Sequence, residues 1–255
     1  MDQVQNNLAN FHPTTLEDIN AIKLMKRYDR KFVFHRGKLG AVFDYLIKDY
    51  QVLEINGNRA FRYENLYYDT DDYFFYHQHH NRRLNRYKVR CRKYIDSNEC
   101  YFEIKFKNNK RKTIKTRILL EDRDVSPELA EESKELVRRS VLLNNGNIVD
   151  KIRPKLWTKF NRITFANLSN KERLTVDLNL TYIDKNYKSQ VFNNLVIAEL
   201  KSEDYSPNSP FYQYLKNLKI FPGTFSKYCI GIAIMEKDIK CNRFKRKLLN
   251  LKKLS

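Results

Sequence analysis

Polar and apolar side chains alternate one by one along several stretches of this chain, the period of a strand with one face buried. From Arg173 to Leu180, Arg173, Thr175, Asp177 and Asn179 stand against Leu174, Val176, Leu178 and Leu180. The same alternation sets Lys115 and Arg117 against Ile114 and Ile118, sets Arg162 and Thr164 against Ile163 and Phe165, and places Glu199 and Lys201 either side of Leu200. Arg27 to Phe34 and Arg62 to Tyr68 read as further strands. A hairpin is predicted between Tyr87–Asp96 and Glu99–Lys107, with Ser97 and Asn98 as a two-residue turn. Under that turn Asp96 faces Glu99, so Arg92 faces Glu103, Arg90 faces Lys105 and Lys88 faces Lys107. Val89, Cys91 and Ile95 then share the other face with Phe102, Ile104 and Phe106.

Helical spacing covers Lys38 to Tyr50, and a short helix is predicted over Asp71 to His77. Another opens at Ser126, with Pro127 at its first position, Glu128, Glu131 and Glu132 early and Arg138 and Arg139 late, which complements the helix dipole. Asn145 and Gly146 end it. Further helices are predicted from Ser209 to Ile220 and from Ser226 to about Ile239. Residues 1–22 lack a sustained period and read as a loosely ordered lead-in. A single domain is expected over residues 23–239, followed by a basic tail at 240–255.

Charge changes the reading of the strands. The chain of 255 residues holds 49 Lys and Arg against 30 Asp and Glu, a formal charge of +19, so its field concentrates anions. Like charges opposed across a hairpin destabilise it, and Arg90 against Lys105 calls for an anion or interspersed carboxylates. If the sheet closes on itself, the charged rows line a channel. The expected fold is therefore α+β, a closed antiparallel barrel of about eight strands with helices packed outside. Cys91, Cys100, Cys229 and Cys241 have no metal-type spacing and read as small core residues. Six glycines leave no room for a Gly-rich nucleotide loop, and Phe102 to Lys107 lacks the glycines of an RNA-recognition strand, so nucleic acid is not the expected partner. Nothing at the N-terminus reads as a signal peptide, and the apolar run Cys229 to Met235 ends at Glu236. A cytoplasmic protein is expected, with peripheral contact at the inner membrane face as the one membrane association left open; seven Lys or Arg in the last sixteen residues would serve it. His77, His79 and His80 read as a solvated loop, and Trp157 as core.

Several fragments together resemble the VTC domain, the polyphosphate-polymerase branch of the triphosphate tunnel metalloenzymes. They are Arg27 to Lys31 (Arg-Tyr-Asp-Arg-Lys), Leu66 to Asp71 (Leu-Tyr-Tyr-Asp-Thr-Asp), Arg86 to Arg92, Phe102 to Lys107 (Phe-Glu-Ile-Lys-Phe-Lys), Arg162, Arg173 to Asn179, Ala198 to Lys201 and Phe225 to Tyr228. The resemblance implies an eight-stranded tunnel that binds ATP and polyphosphate or triphosphate. It implies catalytic roles for Lys31, Arg90, Arg92, Lys105, Arg162 and Lys227, and substrate contacts from Lys107, Lys115, Arg117, Arg173 and Lys201. Tyr94, on the charged face, could stack on an adenine. Glu199, with Glu103 as a second candidate, would bind Mn²⁺ or Mg²⁺. The implied reaction moves the γ-phosphate of ATP onto a growing polyphosphate chain, and a small membrane protein is an implied partner. The hydrolase branch opens with Glu-x-Glu-x-Lys, whereas Arg27, Asp29 and Lys31 stand here; this favours the polymerase branch and leaves the role of Asp29 open. A triphosphatase, a non-catalytic polyphosphate sensor and a nucleic-acid binder are the alternatives.

Overall fold

A computed structural model describes residues 2–22, 28–110, 112–121, 124–141, 151–203 and 209–254. The expected onset at residues 23–27 and the helix end at Asn145 and Gly146 lie outside the described residues. Eight strands form one meandering antiparallel path, in the order β2 (Tyr28–His35), β11 (Leu195–Ser202), β9 (Glu172–Asp184), β8 (Ile152–Asn167), β4 (Phe61–Thr70), β5 (Arg86–Tyr94), β6 (Glu99–Lys107) and β7 (Thr113–Leu119). Three short strands, β1 (Pro13–Thr14), β3 (Gln51–Leu53) and β10 (Ser189–Phe192), attach at the sides. The mixed α+β class and the eight-strand path agree with the sequence. Closure does not: the ladder ends at β2 and β7, which do not pair. The sheet is open and curled, so that Lys31 of β2 and Lys88 of β5 face the same cavity.

The hairpin β5–β6 also departs from expectation. Tyr94 pairs with Glu99, which puts Arg90 opposite Glu103, Lys88 opposite Lys105, Arg92 opposite Tyr101 and Arg86 opposite Lys107. The turn is four residues, 95–98, because Asp96 leaves the ladder to accept from the Arg62 N–H at 2.6 Å and from Arg62 Nε at 2.9 Å. The register slips by two, and since side chains repeat every two residues each keeps its face.

Apolar packing sorts the helices between the two faces of the sheet. On the convex side, Phe32, Phe34, Ile163, Leu174, Val176 and Leu200 pack beneath α1 (Asp2–Ala9), α3 (Leu39–Leu46) and α6 (Pro210–Asn217). Leu66, Val89, Cys91, Phe102 and Ile104 pack beneath α5 (Glu131–Ser140), whose Leu136 and Val137 are buried; each such burial stabilises by roughly 1.5–3 kcal/mol. The helix expected at Ser126 starts only at Glu131. The Ser126 hydroxyl does accept from the Glu128 N–H, but Val125 and Leu129 pack on the convex core and the Tyr68 hydroxyl donates to the Ser126 carbonyl at 2.6 Å, which holds this segment extended.

The N-terminal lead-in is ordered rather than loose. Val4, Leu8, Phe11 and Ile19 are buried, and Thr15 and Asp18 form a capping box at α2 (Leu16–Ala21).

One helix is on the side where none was expected. α7 (Lys227–Met235) buries Tyr228, Ile230 and Ile232 against Tyr67, Phe160, Leu180, Tyr182 and Ile197, and Tyr67, Phe160 and Ile197 also line the concave cavity. It lies inside the curl. A Cβ on Gly231 would come within 2.5 Å of Leu156 and 2.6 Å of Tyr182, so glycine is what lets the helix sit this low. The seat depends on Asn179, an extra residue in β9 at φ 54°, where the β8 register shifts. Past this bulge Leu180 changes face and joins α7, not the row of Leu178 predicted from the alternation. α4 (Phe74–His80) is tied to α7 through Asp69, which accepts from the Phe75 and Tyr76 N–H groups at 2.8 Å and from the Tyr228 hydroxyl. The C-terminal residues form α8 (Lys245–Lys252), with Leu251 buried in the same cluster. Among the described residues no helix is long and apolar enough to cross a membrane.

Candidate functional site

The concave cavity is lined by eight basic side chains, Lys31, Lys88, Arg90, Arg92, Lys105, Arg162, Lys201 and Lys227, and three carboxylates, Asp29, Asp177 and Glu199. Strand alternation supplies them. Lys88, Arg90 and Arg92 face inward between outward Val89 and Cys91, and Lys31, Arg162, Glu199 and Lys201 do the same beside Phe32, Ile163 and Leu200. Lys227 enters from the first turn of α7. There Ser226 caps the helix, its hydroxyl accepting from the Cys229 N–H at 3.3 Å and from Lys88 Nζ at 3.0 Å.

The carboxylates differ in how they are held. Asp177 accepts from Arg162 Nε at 2.6 Å, from Arg162 Nη2 at 2.8 Å and from Lys227. Burial opposes its charge, but Arg162 and Lys227 outweigh burial and hold the carboxyl well below its usual range. Both oxygens are taken. Glu103 has no exposed surface and lies beneath the lining, engaged by Arg90 and Lys115 with Arg92 Nε at 4.0 Å. Glu199 is looser: its oxygens lie 3.4 Å from Lys31 Nζ and 4.0 Å from Lys201 Nζ. Burial works against its charge, and Lys31, Lys201, Arg162 and Lys227 bring the carboxyl down to about 2.

The cations are crowded. Lys105 stands opposite both Lys88 and Lys115. Arg90, burial and Arg92 together push its ammonium down to about 5, so it is neutral at pH 7. Burial and Arg173 bring Lys201 to about 8 against the pull of Glu199. Arg92 is aimed by Asn65, whose Oδ1 accepts from Nε at 2.9 Å. Arg162 lies over the Tyr63 and Phe160 rings at 5.0 and 5.3 Å, which orients the guanidinium without using its donors.

All six residues expected to be catalytic, Lys31, Arg90, Arg92, Lys105, Arg162 and Lys227, line this cavity, as do Lys201 and Glu199. Six others flank it. Lys115 is turned to Glu103, Arg117 lies 4.5 Å over the Tyr101 ring, Tyr94 packs on Tyr63 and Tyr101, Arg173 pairs opposite Lys201, Lys107 lies opposite Arg86, and Glu103 is enclosed. Lys88, Tyr67 and Ser226 were not singled out. Lys88 and Tyr67 share the alternation of Arg90 and could have been; Ser226 depends on α7 being inside, which no local pattern reveals.

Among the described residues no group of three or more His, Cys, Asp or Glu comes together. His77, His79 and His80 lie on α4 rather than in a solvated loop, and buried His80 accepts from the Arg243 N–H, fastening the C-terminal segment.

A family model described as the VTC domain matches residues 26–236. The chain belongs to the VTC domain family. Membership implies an enzyme of the triphosphate tunnel type that works with a divalent cation on nucleoside triphosphates or polyphosphate. No curated protein sequence matches this VTC domain. Among solved structures, it is similar to a putative adenylyl cyclase from Hippeastrum described as revealing a dominant triphosphatase activity. Identity there is 10%, the TM-score 0.51, and the match covers 84% of this chain and 98% of that one; the likeness is one of fold. A putative adenylate cyclase from Bacillus halodurans is similar at 13% identity and a TM-score of 0.47, over 82% of this chain and 96% of that one.

Mg²⁺ is commonly bound by one or two carboxylates with substrate phosphates completing its shell. Glu199, on the lining and not locked by a short ion pair, fits that pattern; Asp177 and Glu103, with their oxygens occupied, do not.

Proposed function

We propose that this VTC domain transfers the γ-phosphate of ATP onto the end of a polyphosphate chain held in the channel. The observation that supports it most is the lining itself, eight basic side chains against three carboxylates, a balance that suits a chain carrying a charge on every phosphate. Phosphoryl transfer needs positioning and charge neutralisation more than a protein nucleophile. Arg90, Arg92 and Arg162 bring planar forks that match phosphate oxygens, and Lys31, Lys88 and Lys227 act as point charges between them. In the reaction a terminal phosphate oxygen of the chain, already ionised, attacks the γ-phosphorus. The bond from that phosphorus to the β–γ bridging oxygen breaks, a new phosphoanhydride forms, and ADP leaves. Glu199 would hold the Mg²⁺ or Mn²⁺, which when bound neutralises charge on the phosphate oxygens.

Hydrolysis of a triphosphate is the second reading. Its support is the neutral amine of Lys105, able to accept a proton from attacking water, together with the activity described for the Hippeastrum protein. Purified protein incubated with ATP and Mn²⁺ separates the two. Long-chain polyphosphate is the expected product, and ADP with orthophosphate alone would sink the transfer reaction.

A further inference from the structure

The open ladder leaves two edges, and they are not alike. At the β2 end the Gly223 N–H donates to the Lys31 carbonyl at 2.7 Å, so a loop covers part of that edge. At the other end β7 pairs with β6 alone. Every residue of β7 but Ile118 is exposed, including Ile114 at 47% and Leu119 at 56%. Its pairing with β6 runs without a bulge, and residues 113–119 hold no proline. A regular, uncovered edge of this kind is a template for another strand.

The bonds at its two ends show which backbone groups point outward. The Leu120 N–H donates to the Cys100 carbonyl at 2.8 Å, and the Asn108 N–H donates to the Lys112 carbonyl at 3.0 Å. Bonded and non-bonded residues alternate in an antiparallel pair. The even-numbered residues of β7 therefore bond to β6, and the N–H and C=O groups of Thr113, Lys115, Arg117 and Leu119 point away from it. Lys115 and Arg117 lie on the channel side opposite Lys105 and Glu103, while Ile114, Thr116 and Ile118 lie on the convex side opposite Phe106, Ile104 and Phe102.

Charge decides what can pair there. In a two-fold dimer through β7, pairing centred on Lys115, Thr116 or Arg117 sets like charges opposite one another each time: Lys115 on Lys115, Lys115 on Arg117, or Arg117 on Arg117. The edge thus repels a second copy. A strand with acids opposite Lys115 and Arg117 and apolar residues between them meets opposite charge on the channel side and Ile114 and Ile118 on the other. The chain's formal charge of +19 draws such a segment in.

We propose that the β7 edge is a docking site for another protein, bound as an added strand in which acidic and apolar residues alternate. No residue of β7 lines the reaction cavity, so the site stands whether the channel transfers phosphate or hydrolyses it.

Fluorescence anisotropy of the full chain with two end-capped peptides of identical composition, at one ionic strength, tests this. One peptide alternates Glu with Val; the other gathers its Glu residues in a block. The alternating peptide should bind about tenfold tighter, the gain from a few net backbone hydrogen bonds and exposed ion pairs. In hydrogen exchange the amides of Thr113, Lys115, Arg117 and Leu119 should be fast in the protein alone and slow with that peptide bound, while those of Ile114, Thr116 and Ile118 are slow throughout. Ile114→Lys should weaken the alternating peptide by about threefold to fivefold through the lost apolar pair, whereas simple attraction to a basic protein would tighten it. Should that variant fail to fold, the two wild-type measurements decide the matter without it. Equal binding of the two peptides, tighter binding to Ile114→Lys, or outward amides left unprotected would overturn the site. So would a wild-type dimer in which those amides are already slow.

Discussion

Asp177, Glu103 and Glu199 are three carboxylates in one basic surrounding with three different fates. Asp177 is the fastener between β8, β9 and α7, since Arg162 and Lys227 both end on it. Replacing it by Asn leaves two buried cations without their counter-charge, and breaking a buried pair in this way costs about 3–5 kcal/mol. Asp177→Asn should therefore unfold at lower urea than wild type at pH 7. The folded carboxyl lies below its unfolded value of about 3.9, so its contribution is complete above that pH and is lost as pH falls through the depressed folded value. The gap between the two proteins should hold at neutral pH and narrow only below about pH 4.

Glu199 is held loosely, and Glu199→Ala should bind polyphosphate while losing turnover by roughly 10²- to 10³-fold, the scale of a few kcal/mol of charge stabilisation. Comparable turnover in both proteins would remove Glu199 from the reaction. At this scale the sequence was informative wherever alternation decided the matter: Arg90, Arg92, Arg162 and Glu199 all face inward as read. It was misleading about partners. Glu103, read as a second metal-ligand candidate, is instead the buried counter-charge of Arg90 and Lys115.

Elements explain why faces were legible when partners were not. A two-residue slip in β5–β6 leaves every side chain on its predicted face yet exchanges every opposed pair, and the slip came from Asp96 bonding to another strand, a non-local event. The late start of α5 has a similar origin, since burial of Val125 and Leu129 overrode a sound capping sequence. The placement of α7 was the largest miss. Its run from Tyr228 to Ile232 is apolar all round, which marks a buried helix without saying which side of the sheet buries it. Gly231 was the local clue. Gly231→Ala should lower stability by about 1–3 kcal/mol through overpacking against Leu156 and Tyr182, and should also reduce kcat because Ser226 and Lys227 ride on the same helix. Denaturant melts and steady-state rates on the same preparation would check the two effects together; an unchanged kcat would uncouple the helix from the reaction.

For the whole molecule, the excess of positive charge destabilises the empty state, and the channel concentrates that excess. Arg90 and Arg92 already drive the proton off Lys105 in the empty channel, and an anion is the natural remedy for the charges that remain. Long-chain polyphosphate at a hundred times its dissociation constant should stabilise the fold by about 2.7 kcal/mol, a rise of roughly 5–10 °C in Tm for a chain of this size. Sodium chloride at matched ionic strength should give much less, because it screens the charges without bridging them. A Tm that does not respond to polyphosphate would contradict a phosphate-chain channel.

Charge and the eight-strand path could be read from the sequence at this scale. The open ladder between β2 and β7 could not, since alternation is the same for a sheet and for a barrel. The bulge at Asn179 belongs here as well, because one residue sets the phase of half a strand. Upstream of it β9 presents Asp177 to the channel; downstream it presents Leu180 and Tyr182 to α7. Removing that single residue would act on side-chain orientation as a frameshift acts on codons. Every position after it would be read on the opposite side, and the helix carrying Lys227 would lose its seat although no contact residue had changed identity.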